Sequence, residues 1–234
     1  MAYDDSTQRT LSPFRLNTAF GLVLLASVLP LTGGWIRYIP PELPPVWRMI
    51  SAMLPTQLGL LLAATLPYLL SSRPPGEAWA DLGLGRLAKR DVIRIFRLSP
   101  LLFFAVMMVS TALTWIARLC GVADPDQPLI RLALSADTPT FCVIAVSAVL
   151  VAPVTEELAF RRTAFEAFRR FLPLQTAAVM ASLIFALIHA AFWQTPALFL
   201  LAFLFQQEYI RSGNRTTSTI LMHAIYNFIT VLCL

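Results

Sequence analysis

The sequence has few charged residues for a chain of 234 residues. Asp, Glu, Lys and Arg make up 13% of it, whereas soluble domains contain about a quarter. It also has only three cysteines, Cys120, Cys142 and Cys233, which lie far apart. An odd number of isolated cysteines predicts neither a disulfide framework nor a CxxC metal site. The scarcity of charge argues against an ordinary soluble domain.

Long runs without any charged residue occupy most of the chain. A helix that crosses a bilayer needs about 20 apolar residues, and such runs cover 16–36, 49–72, 98–117, 138–155, 171–207 and 216–234. The run 171–207 is too long for one crossing and is interrupted by WQTP at 193–196, so it counts as two. We therefore predict an all-α fold, a polytopic membrane helical bundle of about seven transmembrane helices. Residues 1–234 are expected to form a single membrane domain.

The basic residues predict the orientation of this bundle. With seven crossings, 14 of the 18 basic residues fall on the side of the N-terminus, and the other four are Arg37, Arg48, Arg118 and Arg131. The positive-inside rule then places the N-terminus in the cytoplasm. We expect an integral protein of a bacterial inner (cytoplasmic) membrane. The first run is longer than the apolar region of a cleavable signal, so it is predicted to be a span. Because the arginines are spread over four segments, their charge does not indicate nucleic-acid binding.

Ionisable residues inside predicted spans are the candidates for function. Each costs about 2.5–3.5 kcal/mol on insertion scales, so it needs a reason to be there. The candidates, with one polar amide, are Glu156, Glu157, Arg161, His189, Glu208, His223 and Asn227. Glu208 lies three residues before Arg211, which predicts a local ion pair outside the site.

The two adjacent glutamates are predicted to have different surroundings. Glu157 and Arg161 have the i, i+4 spacing and order of a helical ion pair, whereas Glu156 points about 100° away around the helix. Pro153 cannot donate a helical hydrogen bond, which predicts a kink just before them. An alternative interpretation is that Thr155 caps the first turn of an interfacial helix.

Both histidines of the chain have a companion on the same helical face. Phe185 precedes His189 by four residues, and Asn227 follows His223 by four. A lone buried histidine is usually a hydrogen-bonded core residue. Two histidines with companions at compatible depths indicate a site instead.

Depth in the membrane predicts that three of these groups meet. Glu156 and His189 lie nearly equally far from the turn at residues 172–173, so antiparallel helices place them within about 1.5 Å in depth. His223 lies about 12 Å inside the cytoplasmic boundary. We expect the three to converge if the fourth span continues as helix towards Phe168.

Three short motifs resemble those of a known family. EELAFR (156–161), FALIH (185–189) and HAIYN (223–227) follow the EExxxR, FxxxH and HxxxN/D motifs in that order. The chain resembles the CPBP family of CAAX prenyl endopeptidases and bacteriocin-processing or self-immunity (Abi) membrane proteins. The resemblance implies an intramembrane endopeptidase that hydrolyses a peptide bond of a membrane-associated or lipidated peptide or protein. The motif-bearing catalytic core is expected at about 138–234.

The resemblance also implies roles for individual residues. The implied catalytic residues are Glu156, His189, His223 and Asn227. The implied supporting residues are Glu157, Arg161 and Phe185. The first two catalytic residues would activate water, and the other two would donate hydrogen bonds to the oxyanion of the tetrahedral intermediate.

The need for a metal stays open at this point. We expect a glutamate-type hydrolase that requires no cofactor. The alternative is zinc or another divalent ion held by Glu156, His189 and His223, since imidazole and carboxylate groups are zinc ligands. The HExxH motif is absent, and these three residues come from separate helices.

Two other functions fit a buried polar cluster. One is a non-catalytic membrane immunity or peptide-binding protein of the same fold. The other is a proton-coupled transporter, because buried Glu and His also form proton relays, although the sequence shows no inverted repeat. The expected partners are a peptide or lipidated protein substrate and membrane lipid, with no nucleic acid, and the sequence sets no oligomeric state.

Overall fold

The described part of the chain is built from α-helices. The computed structural model describes residues 21, 24–26, 35–69, 76, 80–123 and 125–234, and these contain no strand. The helices are α1 (Pro45–Leu69), α2 (Lys89–Leu119), α3 (Pro128–Ser135), α4 (Thr138–Phe168), α5 (Leu174–Ile188), α6 (Thr195–Arg211) and α7 (Thr216–Leu232). Short 3-10 helices lie at Ile36–Tyr38 and Phe192–Gln194. The predicted all-α class is confirmed.

Several of these helices match the predicted spans. Helices α1, α2 and α4 are long and apolar enough to cross a membrane, with mean hydropathy between 1.6 and 2.0, and the chain is an integral membrane protein. The break predicted within 171–207 is present, since α5 ends at Ile188 and α6 begins at Thr195. Residues 1–20 and most of the first predicted span, 16–36, lie outside the described residues. The number of seven crossings and the position of the N-terminus therefore stay predictions.

Helix α4 is continuous but not regularly wound. Asp137 caps it by accepting a hydrogen bond from the backbone N–H of Thr140 at 3.0 Å. The hydroxyl of Thr140, which lies beside the Asp137 carboxyl, and the backbone N–H of Thr140 lower the pKa of this carboxyl. Two π-helical stretches, Ser147–Val151 and Leu158–Phe165, enclose an α-helical segment. The kink predicted at Pro153 stays a prediction, and the sequence did not indicate the π-helical stretch just before this proline, a feature frequent at functional sites.

Two main clusters of apolar side chains hold the helices together. The first joins α2, α6 and α7 and is centred on Phe103, Phe205 and Met222. The second joins α1, α4 and α5, and Leu25 of the first predicted span packs against it. Helices α5 and α6 approach closely because fully buried alanines, such as Ala178 on α5, line their contact. Small residues are the usual means of close packing between membrane helices.

Glu208 ties three helices together at the arginine-rich end of the bundle. Arg94 of α2 binds both oxygens of its carboxylate, with Nη2 2.8 Å from Oε1. Ser218 of α7 donates a hydrogen bond to the same carboxylate. The ion pair predicted with Arg211 is wrong, because Arg211 is exposed at the end of α6 and the partner comes from another helix. The carboxylate thus links α6 to α2 and α7.

The start of α7 is held by the loop before α2. Thr216 donates a hydrogen bond to the carbonyl of Leu82 at 2.7 Å. Gly83 has a φ of +70°, and a Cβ at this position would lie only 2.7 Å from the Thr216 hydroxyl. Glycine therefore permits both the turn and the close approach.

We expect Glu208→Ala to lower the free energy of unfolding by about 3 kcal/mol, because it leaves Arg94 with only the longer contact to Asp91 at 3.6 Å and removes the acceptor of Ser218. Thermal unfolding of the purified protein in detergent measures this loss. Arg118→Ala is the matched control, since its ion pair with Asp126 spans 3.8 Å between side chains that are 63% and 41% exposed. Exposed pairs contribute about 0–1 kcal/mol. Equal losses in the two variants would contradict the structural role of Glu208.

Candidate active site

A cavity of about 450 Å³ lies among α1, α2, α4, α6 and α7. Its lining includes all four residues with predicted catalytic roles, Glu156, His189, His223 and Asn227. Phe185 lines it as well. The structure thus brings together groups from α4, the end of α5 and α7, and helix α4 continues to Phe168 as this convergence requires. The catalytic roles themselves stay predictions.

The two adjacent glutamates differ in how their carboxylates are engaged. Glu157 is fully buried beneath the cavity, whereas Glu156 is half-buried and faces it. Within the described part of the chain, Glu156 makes no hydrogen bond or ion pair. Its oxygens are therefore free to bind a water molecule or a substrate. This distinction supports Glu156, and not its neighbour, as the group that acts on water.

Glu157 holds two cationic or polar partners at once. Its Oε2 lies 3.0 Å from Nε of Arg161, and its Oε1 lies 3.0 Å from Nδ1 of His223. The contact with Arg161 is electrostatic, because it lacks the alignment of a hydrogen bond. The guanidinium also lies over the rings of Phe185 and Phe205, at 5.1 and 5.9 Å from their centroids. Such cation–π contacts favour a desolvated arginine.

The hydrogen bonds of the two histidines define which ring nitrogen is free. Nδ1 of His189 lies 2.7 Å from the backbone oxygen of Phe185. A carbonyl oxygen can only accept, so Nδ1 carries the proton and Nε2 of His189 is free to accept a hydrogen bond. In His223, Nδ1 donates to Glu157 and Nε2 is likewise left over. Each imidazole therefore has one ring nitrogen that can bind a water molecule or the substrate.

Aromatic rings restrict the rotation of these imidazoles. The ring of Phe185 lies 4.7 Å from that of His189, centroid to centroid, which is the contact predicted from their spacing. His223 lies against Phe205 at 4.9 Å. Helix α5 ends at Ile188, and Ala190 adopts a φ of 50°, so His189 stands at a helix terminus and not within the helix.

Asn227 is already bound to helix α4. Its Nδ2 donates to the carbonyl oxygen of Ala148 at 2.7 Å. Ala148 belongs to the first π-helical stretch, where the regular hydrogen-bond pattern of the helix is broken. One N–H of the amide is thus used, and one N–H and the oxygen remain. Spacing alone did not indicate this bond.

Gln57 of α1 is a site residue that the sequence analysis missed. The hydroxyl of Thr155 donates a hydrogen bond to the side-chain oxygen of Gln57, next to Glu156 along the chain. Gln57 also lines the cavity. A glutamine within an otherwise apolar run was the available signal.

A chain of hydrogen bonds that ends at the carboxylate of Asp126 runs along another wall of the cavity. Ser110 donates to Oε1 of Gln194 at 2.7 Å, and Nε2 of Gln194 donates to Thr114 at 2.8 Å. Thr114 in turn donates to Asp126 at 3.2 Å. Gln194 is buried between α5 and α6, so these bonds satisfy polar groups inside the bundle.

The residues that would hold a metal ion, if one is bound, are Glu156 and the Nε2 atoms of His189 and His223. Within the described residues, no group of three or more His, Cys, Asp or Glu side chains is arranged to hold one. Glu157 and the Nδ1 atoms of both histidines already have partners, which leaves Glu156 and the two Nε2 atoms as the possible ligands. The mechanism proposed below uses only side chains of the protein.

The comparison with family models agrees with the motifs. Residues 138–229 match the Rce1-like family, described as type II CAAX prenyl endopeptidase Rce1-like. This segment is therefore similar to an Rce1-like domain. The match covers less than half of the chain but includes every residue of the predicted site, from α4 to α7. It is consistent with a CPBP family intramembrane protease, so the resemblance is confirmed. No curated protein and no solved structure matches the chain.

We expect Glu157→Gln to lower the free energy of unfolding by about 3–5 kcal/mol, because it leaves the buried Arg161 without a counter-charge. Glu156→Gln is the matched control and should change stability by no more than about 0.5 kcal/mol, since its side chain has no partner to lose. Thermal unfolding in detergent compares the two. A larger loss for the Glu156 variant would reverse the roles assigned to the two carboxylates.

Proposed function

We propose that the protein is an intramembrane endopeptidase that cleaves a membrane-associated or lipidated peptide or protein. The Rce1-like match supports an integral membrane protease of the CAAX type, for which a prenylated protein is the implied substrate. The proposal rests mainly on the residues that line the cavity. There the uncommitted carboxylate of Glu156 lies with His189, His223 and Asn227 in a largely buried space.

The first step is the activation of water. A water molecule bound by Glu156 can donate its second hydrogen bond to the free Nε2 of His189. Glu156 then removes a proton as the water oxygen attacks the carbonyl carbon of the substrate. The hydrogen bond from Nδ1 of His189 to the Phe185 carbonyl keeps Nε2 available for this contact.

The second step places negative charge on the substrate oxygen. The remaining N–H of Asn227 can donate to this oxyanion, and so can Nε2–H of His223 when the imidazole is protonated. Preorganised donors of this kind contribute most in sites that exclude water. Glu157 accepts a hydrogen bond from Nδ1 and thereby fixes the orientation of the His223 ring.

The net charge of the site does not change between the stages. Before the reaction, the charge of Glu157 is balanced by Arg161, and Glu156 carries one negative charge. When Glu156 takes the proton from water, it becomes neutral and the oxyanion carries the charge instead. The proton then passes to the leaving amine as the C–N bond breaks, and the hydroxyl stays on the acyl product. No covalent acyl-enzyme is formed.

This mechanism needs no metal, so we propose a glutamate-type hydrolase with its catalytic core at about 138–234. Glu157 and Arg161 act as supporting residues, because they hold the imidazole of His223 without facing the cavity. Phe185 supports His189 through its carbonyl and its ring. We further propose that the protein resides in a bacterial inner membrane with a cytoplasmic N-terminus.

We expect purified protein in detergent to cleave members of a fluorogenic library of prenylated and plain peptides. Glu156→Gln should lower the turnover about 10²–10⁴-fold, the usual contribution of a general base, and His189→Ala should also lower it. Thr230→Val is the matched control, since Thr230 lines the cavity but its hydroxyl only bonds the Tyr226 carbonyl. Its turnover should match that of the wild type.

Each reaction is run with and without a strong chelator. Loss of cleavage with the chelator and recovery with zinc would replace the metal-free mechanism by a metal-dependent one. Normal turnover by Glu156→Gln would remove Glu156 from the mechanism. If the wild type binds peptides without cleaving any of them, the non-catalytic peptide-binding function is favoured.

A further inference from the structure

Helix α1 contributes one amide side chain to the lining of the cavity. Gln57 is the only Asn or Gln of this mainly apolar helix. Its side chain is half-buried and lines the cavity together with Met53, which lies one turn earlier. An amide in an apolar environment is unfavourable unless its donors and its acceptor are hydrogen-bonded. The presence of Gln57 at this position therefore needs a physical reason.

The contact with Thr155 does not by itself supply that reason. The hydroxyl of Thr155 donates a hydrogen bond to the side-chain oxygen of Gln57. The carbonyl oxygens of Val151 and Ala152, in the same helix as Thr155, also lie 3.2 Å from this hydroxyl. Threonines in helices commonly bind such carbonyls, so Thr155 would keep an acceptor if residue 57 were apolar. The hydrogen bond fixes the orientation of the Gln57 amide, but Thr155 does not require it.

The nitrogen of the Gln57 amide remains uncommitted. Among the residues that the structure describes, Thr155 is the only hydrogen-bond partner of the Gln57 side chain. Because the oxygen is held by Thr155, both N–H groups of Nε2 are available as donors. A ligand that binds them must offer an acceptor, and the backbone carbonyl of a peptide is one.

Gln57 lies beside the catalytic wall, the part of the cavity lining formed by Glu156, His189, His223 and Asn227. Its partner Thr155 directly precedes Glu156 in α4. Helices α1 and α7 both pack against α4. The donors proposed for the oxyanion belong to α7, whereas Gln57 belongs to α1. A peptide bound across Glu156 therefore meets donors from two helices, and the α1 amide can hold a carbonyl other than that of the scissile bond.

Gln57 also lies outside the segment that resembles the Rce1-like family. The match covers residues 138–229, whereas α1 ends at Leu69. The groups with proposed catalytic roles all belong to the matched segment. A contact from α1 can therefore influence which peptides are bound without changing the groups that carry out the chemistry.

We propose that Gln57 is a substrate-binding residue, whose Nε2 donates a hydrogen bond to a backbone carbonyl of the peptide outside the scissile bond. The contact fixes the position of the peptide relative to Glu156. The proposal rests on the proposed function, since it requires a peptide in the cavity. The experiments below distinguish the failure of one from the failure of the other.

The kinetic constants of Gln57→Leu are the first test. A hydrogen bond that is equally strong in the bound substrate and in the transition state lowers KM and leaves kcat unchanged. We expect Gln57→Leu to raise the KM of a cleaved peptide about 10-fold, because the carbonyl loses its donor, with kcat unchanged. Met53→Leu is the matched control and should leave both constants unchanged. A lower kcat with an unchanged KM in Gln57→Leu would overturn the proposal.

Thr155→Val separates the contact with the substrate from the contact between helices. This variant removes the hydrogen bond between α1 and α4 but keeps the Gln57 amide, so KM should rise less than in Gln57→Leu. Equal effects of the two variants would show that Gln57 acts only through Thr155. Gln57→Leu and Gln57→Met should both unfold at the temperature of the wild type. Loss of the fold in both would show a structural role and would likewise overturn the proposal.

Single ester replacements in the peptide test the contact directly. One backbone amide at a time, other than the scissile one, is replaced by an ester, whose carbonyl oxygen is a weaker acceptor. At one position the ester should raise KM for the wild type and have no further effect in Gln57→Leu, because both changes remove the same hydrogen bond. Equal effects of every ester in the two proteins would contradict the contact.

The same variants distinguish this proposal from the proposed function. If the library peptides bind but none is cleaved, the proteolytic function is contradicted, and the comparison is made on Kd. Binding to Gln57→Leu that is about 10-fold weaker would still support the contact, whereas an equal Kd would overturn it. If no peptide binds to the wild type, both proposals are overturned.

Discussion

The buried charge of Arg161 is the constraint on which the site depends. A charged side chain within a span costs about 2.5–3.5 kcal/mol, and this guanidinium has no exposed surface. Glu157 neutralises it from one turn away on the same helix, with the nearest atoms 3.0 Å apart. The second oxygen of Glu157 then binds His223 of α7. An ion pair within one helix therefore sets the orientation of an imidazole on another. The ion pair also explains why two glutamates are adjacent. Glu157 is needed to neutralise Arg161, and Glu156 remains free.

The irregular winding of α4 determines how these groups are presented. An extra residue in a helix turns all later side chains by about 100°, and π-helical stretches insert such residues. Two of them flank the short α-helical segment that carries both glutamates. The first also lets the Ala148 carbonyl accept a hydrogen bond from Asn227. A regular helix of the same length would keep its carbonyls within the helix. The irregular turns thus connect α4 to α7 without a break in the membrane-spanning helix.

The parts of the structure that follow from local periodicity could be predicted from the sequence. The all-α class follows from the long charge-free runs, and the contact of Glu157 with Arg161 follows from the four-residue repeat of a helix. Contacts between distant segments could not be predicted in this way. Glu208 binds Arg94, 114 residues away, and not its neighbour Arg211. Gln57 was missed for the same reason, because its partner Thr155 is 98 residues away. The π-helical winding was also missed, since hydropathy does not distinguish it from α-helical winding.

The two polar networks outside the catalytic wall differ in charge, and this difference suits their positions. At the arginine-rich end of the bundle, Arg94 and Glu208 form an ion pair that joins α2 to α6, and Ser218 of α7 binds the same carboxylate. Beside the cavity, Ser110, Gln194 and Thr114 satisfy one another as neutral groups. The one carboxylate of this network, that of Asp126, lies at its partly exposed end, where Arg118 is 3.8 Å away. The groups nearest the catalytic wall are therefore neutral. Neutral hydrogen bonds keep the wall polar enough for a peptide while leaving the electrostatics of the reaction to the groups around Glu156.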